Sequence, residues 1–450
     1  MNSESGHGQF PAGVGVYIPR NPALDDVIAA GRGYRRDHAY WLLHSISTKR
    51  WMGEVDDEGF ARLNSSILRK RIQPRALGAL VRHLVDSGTL KTAGHSTGHF
   101  PTGYRIAPAF DGPPVRHVIE HPALAAKIRG WRAEYKLSGK NPALTPIMER
   151  RAALMAHEAA SLMALSLPAT PEALTEELRG QTDPGHIMYV AQAVENHDDD
   201  GLVVDAFGWR LHHLITRTSP HLRARLLLAG KPVAEVDVAN SQPLLLAMLL
   251  QEAKSASCAL RRERSAQVSA GEESRGQEEA GRLSIMLCIR SLCCAFSPCV
   301  RELSVSEIGD FLSVCESGAL YDVLAQDAGI ARDQAKCEIF RDVLFGKAHV
   351  NGRLTQAFGE RWPTLLASIR SAKRGLGYKS VAQALQRLES VIMLDGVGSR
   401  LLREFPGLPF LTVHDSALLV AGAAGQIKTI MLEEFARWGT TPMIRVKGAT

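Results

Sequence analysis

Two aspartates that lie far apart in the chain each stand beside apolar runs with the alternation of a β-strand. Asp237 is near the end of the run VAEVDV, and the chain then passes Gln242 and enters an apolar helix. Asp415 follows His414 between the runs PFLTV and ALLV, which predicts a strand, a short turn and a second strand. Carboxylates placed in this way are suited to holding hard divalent cations.

Each aspartate also has a purely structural interpretation. Asp237 could cap the helix that follows it, and Asp415 could serve only the turn in which it stands. Phosphoryl transfer on nucleotides, however, uses two Mg²⁺ ions about 4 Å apart that carboxylates bridge. Because two apolar strands each present one aspartate, we expect Asp237 and Asp415 to be catalytic metal ligands for two Mg²⁺ ions, with Mn²⁺ as an alternative.

A third segment, ARDQAKCEIFRDVLFGK, lies between the two aspartates and carries two cations and an aromatic ring at helical spacing. Arg332, Lys336 and Phe340 are four residues apart and fall on one face of a helix. The two cations could bind a triphosphate while the ring faces a base or sugar. An exposed charged helix without a role is the alternative interpretation.

In this order the motifs resemble those of the family A DNA polymerases and their relatives, the single-subunit phage-type RNA polymerases. The resemblance covers roughly residues 203–420 and rests on EVDVANSQP, the Arg332 segment and VHDS, together with two weaker motifs. It implies that Asp237 and Asp415 bind the metal ions and that Arg332 and Lys336 are catalytic residues at the triphosphate. The HDS form is closer to the RNA polymerases.

The resemblance implies nucleotide-binding roles for Phe340, Gln242, Phe345 and Gly346. The chain departs from the family pattern at two of these positions. Gln242 replaces the glutamate that stands five residues after the first metal ligand in the DNA polymerases, which leaves the choice between ribose and deoxyribose open. The second fingers aromatic is expected at Leu344, but Phe345 comes one residue later. Either the helix shifts by one residue or the nucleotide pocket differs.

Two further motifs resemble family segments that contact the template and primer. VVDAFGWRLHHL has the aspartate, glycine and arginine of one, with Trp209 as an extra residue, and YKSVAQALQRLESVIM has the glutamine of the other. A plain amphipathic core helix is the alternative for the latter segment. The nucleic-acid-binding residues implied are Asp205, Gly208, Arg210 and Gln386, with Glu389 as a weaker candidate and His414 positioning the hairpin or the primer end.

The amino-terminal third predicts three helices followed by two short strands around a Gly/Ser/Thr-rich tip. This order resembles a winged helix-turn-helix domain. Its expected recognition helix carries Arg75 and Arg82, and its wing carries Lys91, all of which could contact DNA phosphates. A small helical interaction domain with a solvated basic face is the alternative.

These patterns together predict a mixed α/β (α+β) protein whose right-hand polymerase palm has an antiparallel sheet with helical fingers and thumb. Residues 1–30 are expected to form a flexible tail and residues 31–112 the winged helix. Residues 113–230 are expected to form a helical, thumb-like connector. Residues 231–450 would form the palm, with fingers at about 300–375 and a mobile insertion at about 252–282.

The composition limits the class of protein. The chain has 450 residues, of which 45% are hydrophobic and 22% charged, and it has no uncharged apolar run of the roughly 18 to 20 residues that a membrane span needs. The amino terminus lacks a signal-peptide pattern, so we expect a cytoplasmic protein with no membrane partner. The net charge of +6 permits nucleic-acid binding, and the seven cysteines lack zinc-site spacing.

The sequence therefore predicts a template-directed nucleotidyltransferase, a family A type DNA polymerase without proofreading, that serves the replication of a mobile element. Its partners would be a DNA template and primer and nucleoside triphosphates. A single-subunit RNA polymerase or primase, with RNA as a partner, is the first alternative. A DNA-binding replication initiator or regulator with an inactive palm is the second. The sequence leaves the oligomeric state open.

Overall fold

The computed structural model of the protein describes residues 14–94, 101–137, 145–198, 202–263 and 294–448. It is 59% helical and 15% strand with small antiparallel sheets, so the predicted mixed α/β class is confirmed. The chain forms two compact units. The first unit comprises residues 1–140, 162–202 and 213–230, and the second comprises residues 141–161, 203–212 and 231–450. The region 113–230, predicted as one connector, is thus shared between the two units.

The first unit opens with a two-stranded antiparallel ribbon of β1 (Val14–Pro19) and β5 (Pro114–Ile119). Every residue of β1 is buried, and helix α1 (Pro22–Ala30) follows it directly. The prediction that residues 1–30 form a flexible tail is therefore wrong from residue 14 onward. The apolar run VGVYIP is a strand because its backbone pairs with β5 and its side chains enter the core of this unit.

Three helices and a three-stranded sheet form the next part of the first unit. The sequence analysis predicted the helices and the last two strands but not the first strand, which has only three residues and is too short to show alternation. Leu77, Leu80 and Leu84 of the third helix are buried against the sheet and the first helix. The sheet order is β2-β4-β3. The elements are α2 (Arg36–Trp51), β2 (Ala61–Leu63), α3 (Ser65–Arg71), α4 (Pro74–Asp86), β3 (Leu90–Ala93) and β4 (Thr102–Ile106). The predicted wing tip at residues 95–100 lies outside the described residues.

The rest of the first unit is mainly helical. Asp183 and Ser219 cap two of its helices with side-chain oxygens that accept backbone N–H groups. Its elements are 3₁₀ turns at Pro108–Phe110 and Leu214–Arg217, α5 (Pro122–Leu137), the paired strands β6 (Leu165–Ser166) and β9 (Leu227–Leu228), α7 (Pro171–Glu177), α8 (Pro184–Glu195) and α9 (Pro220–Arg223).

The second unit contains an antiparallel sheet whose four strands come from distant parts of the sequence. They are β10 (Lys231–Val238), β11 (Phe410–Val413), β12 (Ser416–Val420) and β13 (Ile444–Gly448). Strand β10 pairs with β12 on one side and with β13 on the other, and β11 pairs with β12. A separate hairpin joins β7 (Val203–Val204) to β8 (Leu211–His212).

Helices make up most of the second unit. They are α6 (Thr145–Met163), α10 (Ser241–Glu263), α11 (Val305–Glu316), α12 (Leu320–Ala328), α13 (Arg332–Glu338), α14 (Arg353–Arg361), α15 (Pro363–Gly375), α16 (Ser380–Ser390), α17 (Ser399–Glu404) and α18 (Ala424–Ala436). Two π-helical turns, Ile339–Leu344 and Val391–Gly398, interrupt them. In the described ranges, no helix combines the length and apolar character needed to cross a bilayer.

The insertion predicted at about 252–282 needs a correction. Helix α10 continues through its first part as far as Glu263, with Leu250 and Ala253 buried. Ala253, at the start of the predicted insertion, packs in the core as part of this helix. The remainder, residues 264–282, lies outside the described residues.

Candidate active site

Asp237 and Asp415 lie at the same end of the second unit's sheet. Asp237 is the last residue but one of β10, and its Cα is paired with that of Ser416, the first residue of β12. Asp415 and His414 form the two-residue turn between β11 and β12, and the backbone oxygen of Asp415 accepts the N–H of Val238 at 3.3 Å. The strand and hairpin predicted from the sequence are therefore present. The hairpin register places the two aspartates beside each other.

The electrostatic surroundings of Asp415 favour a cation. Burial raises the pKa of its carboxyl to about 8, and the negative charges of Glu389 and Asp237 act in the same direction. The positive charge of Arg210 opposes them without cancelling their effect. A partly buried turn thus has more carboxylates than nearby cations to neutralise them, which is the condition under which a divalent ion binds.

Lys447 supplies a cation that the sequence analysis missed. Its Nζ donates to Oδ2 of Asp237 at 2.6 Å from the neighbouring strand β13. Its side chain is 53% exposed, so the ammonium group can leave Asp237 at little cost. No pattern in the sequence marks this lysine, because it reaches Asp237 only through the pairing of β13 with β10, more than 200 residues apart.

Glu389, only a weaker candidate from sequence, is at the centre of a buried polar cluster. Its Oε1 accepts the Nε–H of Arg210 at 2.7 Å, and its Oε2 accepts the side-chain amide of Gln242. Burial raises the pKa of Glu389, although Arg210 and Gln242 each act to lower it. Glu389 therefore links Arg210, a candidate for binding nucleic acid, to Gln242, a candidate for binding the nucleotide. Its negative charge also acts on the carboxyl of Asp415.

The segment around Asp205 is a tight turn that its carboxylate organises. Asp205 accepts the backbone N–H groups of Gly208 and Arg210 and the Nε2–H of His212, the last at 3.1 Å. Burial alone would raise the pKa of Asp205, but these hydrogen bonds outweigh it and the pKa is lowered. Trp209, the extra residue, adopts a left-handed backbone with φ +58°. Arg210 follows it directly and donates to Asp205 from its backbone and to Glu389 from its side chain.

Helix α16 packs on this turn and explains the glycine. A Cβ on Gly208 would lie 2.5 Å from Oε1 of Gln386, so only glycine fits. Oγ of Ser390 donates to the carbonyl of Gly208 at 2.8 Å, and the guanidinium of Arg387 lies 4.4 Å from the centroid of the Trp209 ring. The structure thus brings Gln386, Gly208, Arg210 and Glu389 together.

Arg151, which the sequence analysis did not identify, holds the same turn from the other side. Its guanidinium is 2% exposed, pairs with both carboxylate oxygens of Asp395 at 2.7 and 2.8 Å, and donates to the carbonyl of Trp209 at 2.5 Å. Asp395 belongs to the π-helical turn Val391–Gly398. The left-handed residue is thereby fixed by a buried ion pair.

Tyr321 connects the two aspartates with the predicted triphosphate arginine. This tyrosine of α12 is buried, and burial together with the charges of Asp415 and Asp237 raises the pKa of its hydroxyl. The guanidinium of Arg332 lies 5.6 Å from the centroid of its ring and pairs with Asp322 at 3.0 Å. Arg332 therefore stands next to the site, and Tyr321 is a site residue that no motif indicated.

A π-helical turn, Ile339–Leu344, includes Phe340 and ends immediately before Phe345 in the segment that carries the predicted fingers motif. Its extra residue makes the N–H of Phe345 bond to the carbonyl of Phe340 at 2.9 Å, and the two rings lie 5.4 Å apart. Leu344 is fully buried while Phe345 is half-buried. The extra residue of the π-helical turn brings Phe345 next to Phe340. Lys336 is exposed on α13.

Lys373 secures the end of this π-helical turn. Its Nζ is buried and donates to the carbonyls of Val343 at 2.6 Å and Gly346 at 2.7 Å, and burial lowers its pKa to about 8. A Cβ on Gly346 would overlap the carbonyl oxygen of Arg341, which accounts for the glycine. No pattern in the sequence indicates this lysine, because it is 27 residues from Gly346 on another helix.

The nucleic-acid candidates of the first unit are on its surface. Arg75 and Arg82 are exposed on α4, two turns apart, and Lys91 is exposed on β3. Positions seven residues apart lie on the same face of a helix, so the two arginines form one basic edge. Their contact with DNA stays a prediction.

Asp237 and Asp415 act as a pair of carboxylates. In the part of the chain that the structure describes, no group of three or more His, Cys, Asp or Glu side chains could hold a metal ion. Mg²⁺ commonly uses one or two protein carboxylates and completes its octahedron with phosphate oxygens and water. Among known proteins, neither a protein-family model nor a curated sequence matches the chain.

Proposed function

We propose that the second unit is a polymerase palm with fingers, and that the protein is a template-directed nucleotidyltransferase of the family A DNA polymerase type without proofreading. The observation that carries this proposal is the pairing of β10 with the β11–β12 hairpin, which puts Asp237 and Asp415 side by side. The same five motifs that resemble the family in sequence also cluster in one compact unit.

The residues fit two Mg²⁺ ions. Asp415 has a raised pKa because burial and the charges of Glu389 and Asp237 disfavour its ionised form, and a divalent cation would relieve that cost. Asp237 can exchange the exposed ammonium of Lys447 for a metal ion. When bound, the ions would supply charge neutralisation at the attacking hydroxyl and at the triphosphate.

The fingers residues would bind the incoming nucleotide. Arg332, held beside Tyr321, and Lys336, one turn further along α13, would neutralise the triphosphate. Phe340 and Phe345 would form an aromatic surface for the base or sugar because the π-helical turn stacks them along one face. Gly346 would let the backbone turn sharply at the end of that surface.

The turn at residues 205–210 and helix α16 would hold the template and primer. Arg210 is fixed by Glu389 and partly exposed, so it can present its remaining N–H groups to a phosphate. Asp205 and Gly208 would act by shaping this turn, and Gln386 lies against it. His414, whose ring lies 5.6 Å from that of His212, would position the hairpin or the primer end.

The first unit would bind DNA as a winged helix. The helices α2, α3 and α4 and the sheet order β2-β4-β3 support this fold. Exposed Arg75 and Arg82 on α4 and Lys91 on β3 would contact phosphates. A polymerase joined to such a domain would suit the replication or priming of a mobile element.

An RNA polymerase or primase on the same fold is the second candidate, and Gln242 favours it. The amide of Gln242 is buried and donates to Glu389, so a neutral side chain stands five residues after Asp237 in place of a carboxylate. The HDS sequence at the hairpin points the same way. Both observations concern the sugar of the nucleotide and leave the chemistry at Asp237 and Asp415 unchanged.

Extension of a labelled primer on a DNA template tests the proposal. The full chain is given Mg²⁺ with deoxynucleotides or with ribonucleotides, and the wild type is compared with Asp237→Ala, Asp415→Ala and the control Asp57→Ala, which removes an exposed aspartate of the first unit. We expect synthesis by the wild type and the control only. Ribonucleotide use alone would establish the second candidate, whereas tight duplex binding without any synthesis would favour a DNA-binding regulator with an inactive palm.

A further inference from the structure

A pocket in the first unit collects positive charge that neither the winged helix nor the polymerase site requires. It has a volume of about 580 Å³ and is lined by Arg35, His38, Arg71, His121 and Lys127 together with smaller or uncharged residues. Its volume is within the range of small-molecule sites, which is roughly 300–1,000 Å³. Since its charged lining is wholly basic, its ligand should be an anion.

Three helices begin at this pocket. The lining includes His38 from the first turn of α2, Ala76 from the first turn of α4, and Ala123 from the first turn of α5. The amino-terminal end of a helix carries partial positive charge and N–H groups without intrahelical acceptors. Gln73, the residue that precedes α4, makes no side-chain cap. The backbone therefore adds to the attraction for an anion.

The two histidines of the pocket are arranged as hydrogen-bond donors. Nδ1 of His38 accepts the N–H of Arg35 at 3.4 Å, and Nδ1 of His121 accepts the N–H of Leu124 at 3.2 Å. A neutral imidazole that accepts at Nδ1 carries its proton on Nε2. Each ring thus has an Nε2–H group to offer, and the rings lie edge to face with centroids 6.2 Å apart.

The charges at the pocket act on one another. Burial lowers the pKa of His38, and so do His121, Arg35 and Lys127, while Asp37 opposes them. Asp37 is itself engaged, because its Oδ2 accepts the N–H of His121 at 2.6 Å. Among the described residues, neither Arg35 nor Lys127 forms an ion pair. The guanidinium of Arg71 is fixed by a bond to the carbonyl of Ile67 at 2.7 Å.

We propose that this pocket binds a terminal phosphate group, carried by a free nucleotide or by the 5′ end of a DNA strand. A dianionic phosphate has acceptor oxygens for Arg35, Lys127 and the two imidazole N–H groups, and the helix ends stabilise its charge. A phosphodiester within a strand carries only one negative charge and binds less well. The proposal is independent of the polymerase function, because the pocket lies within the first unit alone.

Calorimetric titration of the full chain without Mg²⁺ tests this site. The probes are a deoxynucleoside monophosphate and a six-nucleotide DNA strand with either a 5′ phosphate or a 5′ hydroxyl. We expect the phosphorylated strand to bind roughly tenfold tighter than the hydroxyl strand, and Arg35→Ala or Lys127→Ala to remove that difference. Both side chains are exposed, so the variants should fold, which circular dichroism verifies. Lys428→Ala, which removes an exposed charge in the second unit, is the control.

The results separate the two sources of phosphate. Tight binding of the monophosphate, lost in the pocket variants, assigns the site to free nucleotides. A preference for the phosphorylated strand, without binding of the monophosphate, assigns it to DNA ends. In either case the NMR titration of His38 should move to higher pH when phosphate binds, because an anion favours the imidazolium form. Equal affinity for both strands with no monophosphate binding, or an equal loss in Lys428→Ala, would overturn the proposal.

Discussion

Replacing Asp415 by asparagine is expected to stabilise the metal-free protein at pH 8 and at the same time to abolish nucleotide incorporation. The carboxylate of Asp415 is unfavourable in the fold without a cation, because burial and the charges of Glu389 and Asp237 oppose its ionisation. Asparagine has nearly the same shape and no charge. A residue whose removal stabilises the protein but destroys activity is the signature of a ligand kept for function.

The magnitude follows from the pKa of Asp415, which rises from its ordinary value of 3.8 to about 8 in the fold. One pKa unit corresponds to about 1.4 kcal/mol, so ionisation at pH 8 costs at most about 5 kcal/mol. Water around the partly exposed turn screens much of this cost, and we expect a gain of about 1–3 kcal/mol in Asp415→Asn. That gain corresponds to a rise in Tm of roughly 2–10 °C.

The raised pKa of Asp415 also determines how the stability gain of Asp415→Asn changes with pH. Since the folded pKa is raised, the stability contributed by protonated Asp415 is complete below about pH 4 and is lost as the pH rises through about 8. The gain in Asp415→Asn should therefore be small at pH 5 and largest at pH 8 and above. Mg²⁺ should then stabilise the wild type but not the variant.

Thermal unfolding followed by circular dichroism measures this effect at pH 5 and pH 8, first with a chelator and then with Mg²⁺. Asp333→Asn is the matched control, since its side chain is 97% exposed and the substitution removes the same charge. Lower stability of Asp415→Asn than wild type at pH 8 without metal would refute the reasoning. The same holds for an equal gain at both pH values, because that gain would not come from the ionisation of Asp415.

Three further substitutions test the surroundings of the site. Lys447→Ala should increase the affinity for Mg²⁺ several-fold in calorimetric titration, because the ammonium no longer competes for Asp237, while stability changes by less than about 1 kcal/mol. Glu389→Gln should move the pH of half-maximal Mg²⁺ binding downward, because one of the charges that raise the pKa of Asp415 is removed; an unchanged pH would show that Glu389 does not act on Asp415. Lys373→Met should leave two carbonyls without their buried donor, lower stability by about 2–4 kcal/mol and raise the KM for nucleotides more than it lowers kcat; thermal unfolding and primer extension measure the two effects.

The sequence predicted the parts of the site that depend on local pattern. Alternating apolar residues identified the strand that ends at Asp237 and the hairpin around Asp415, because each strand has a buried face of its own. The spacing of four identified the face shared by Arg332 and Lys336. Helices α2 to α4 and the strands β3 and β4 were predicted for the same reason.

The residues that complete the site could not be predicted, because they reach it through pairing and packing between distant segments. Lys447 meets Asp237 only after β13 joins β10, and Tyr321, about 90 residues from either aspartate in sequence, comes within reach of their charges only in the folded chain. Glu389 was a weak candidate because its helix is a plain amphipathic one in sequence, and only its contacts with Arg210 and Gln242 give it importance.

The predictions of a flexible amino-terminal tail and of a mobile insertion were each wrong in part, because local composition indicated a loop where the chain forms a strand or a helix. The strand β1 has no neighbour in sequence with which it could pair, since its partner β5 is about 100 residues away. The end of α10 contains polar residues that local composition assigns to a loop. In β1, whose residues are all buried, tertiary burial outweighs local preference.

The two departures from regular spacing have a common physical feature. Trp209 and Phe345 each exceed the expected count by one residue, and the backbone absorbs the excess with a left-handed residue in one place and a π-helical turn in the other. Both conformations cost free energy and persist only where the surroundings fix them. A buried cation from a different helix does so at each: Arg151 bonds to the carbonyl of Trp209, and Lys373 to that of Gly346. The free energy of these two buried hydrogen-bonding cations offsets the cost of the irregular backbone. Arg151 and Lys373 thereby hold in place the residues beside each irregularity, Arg210 and the Phe345–Gly346 pair.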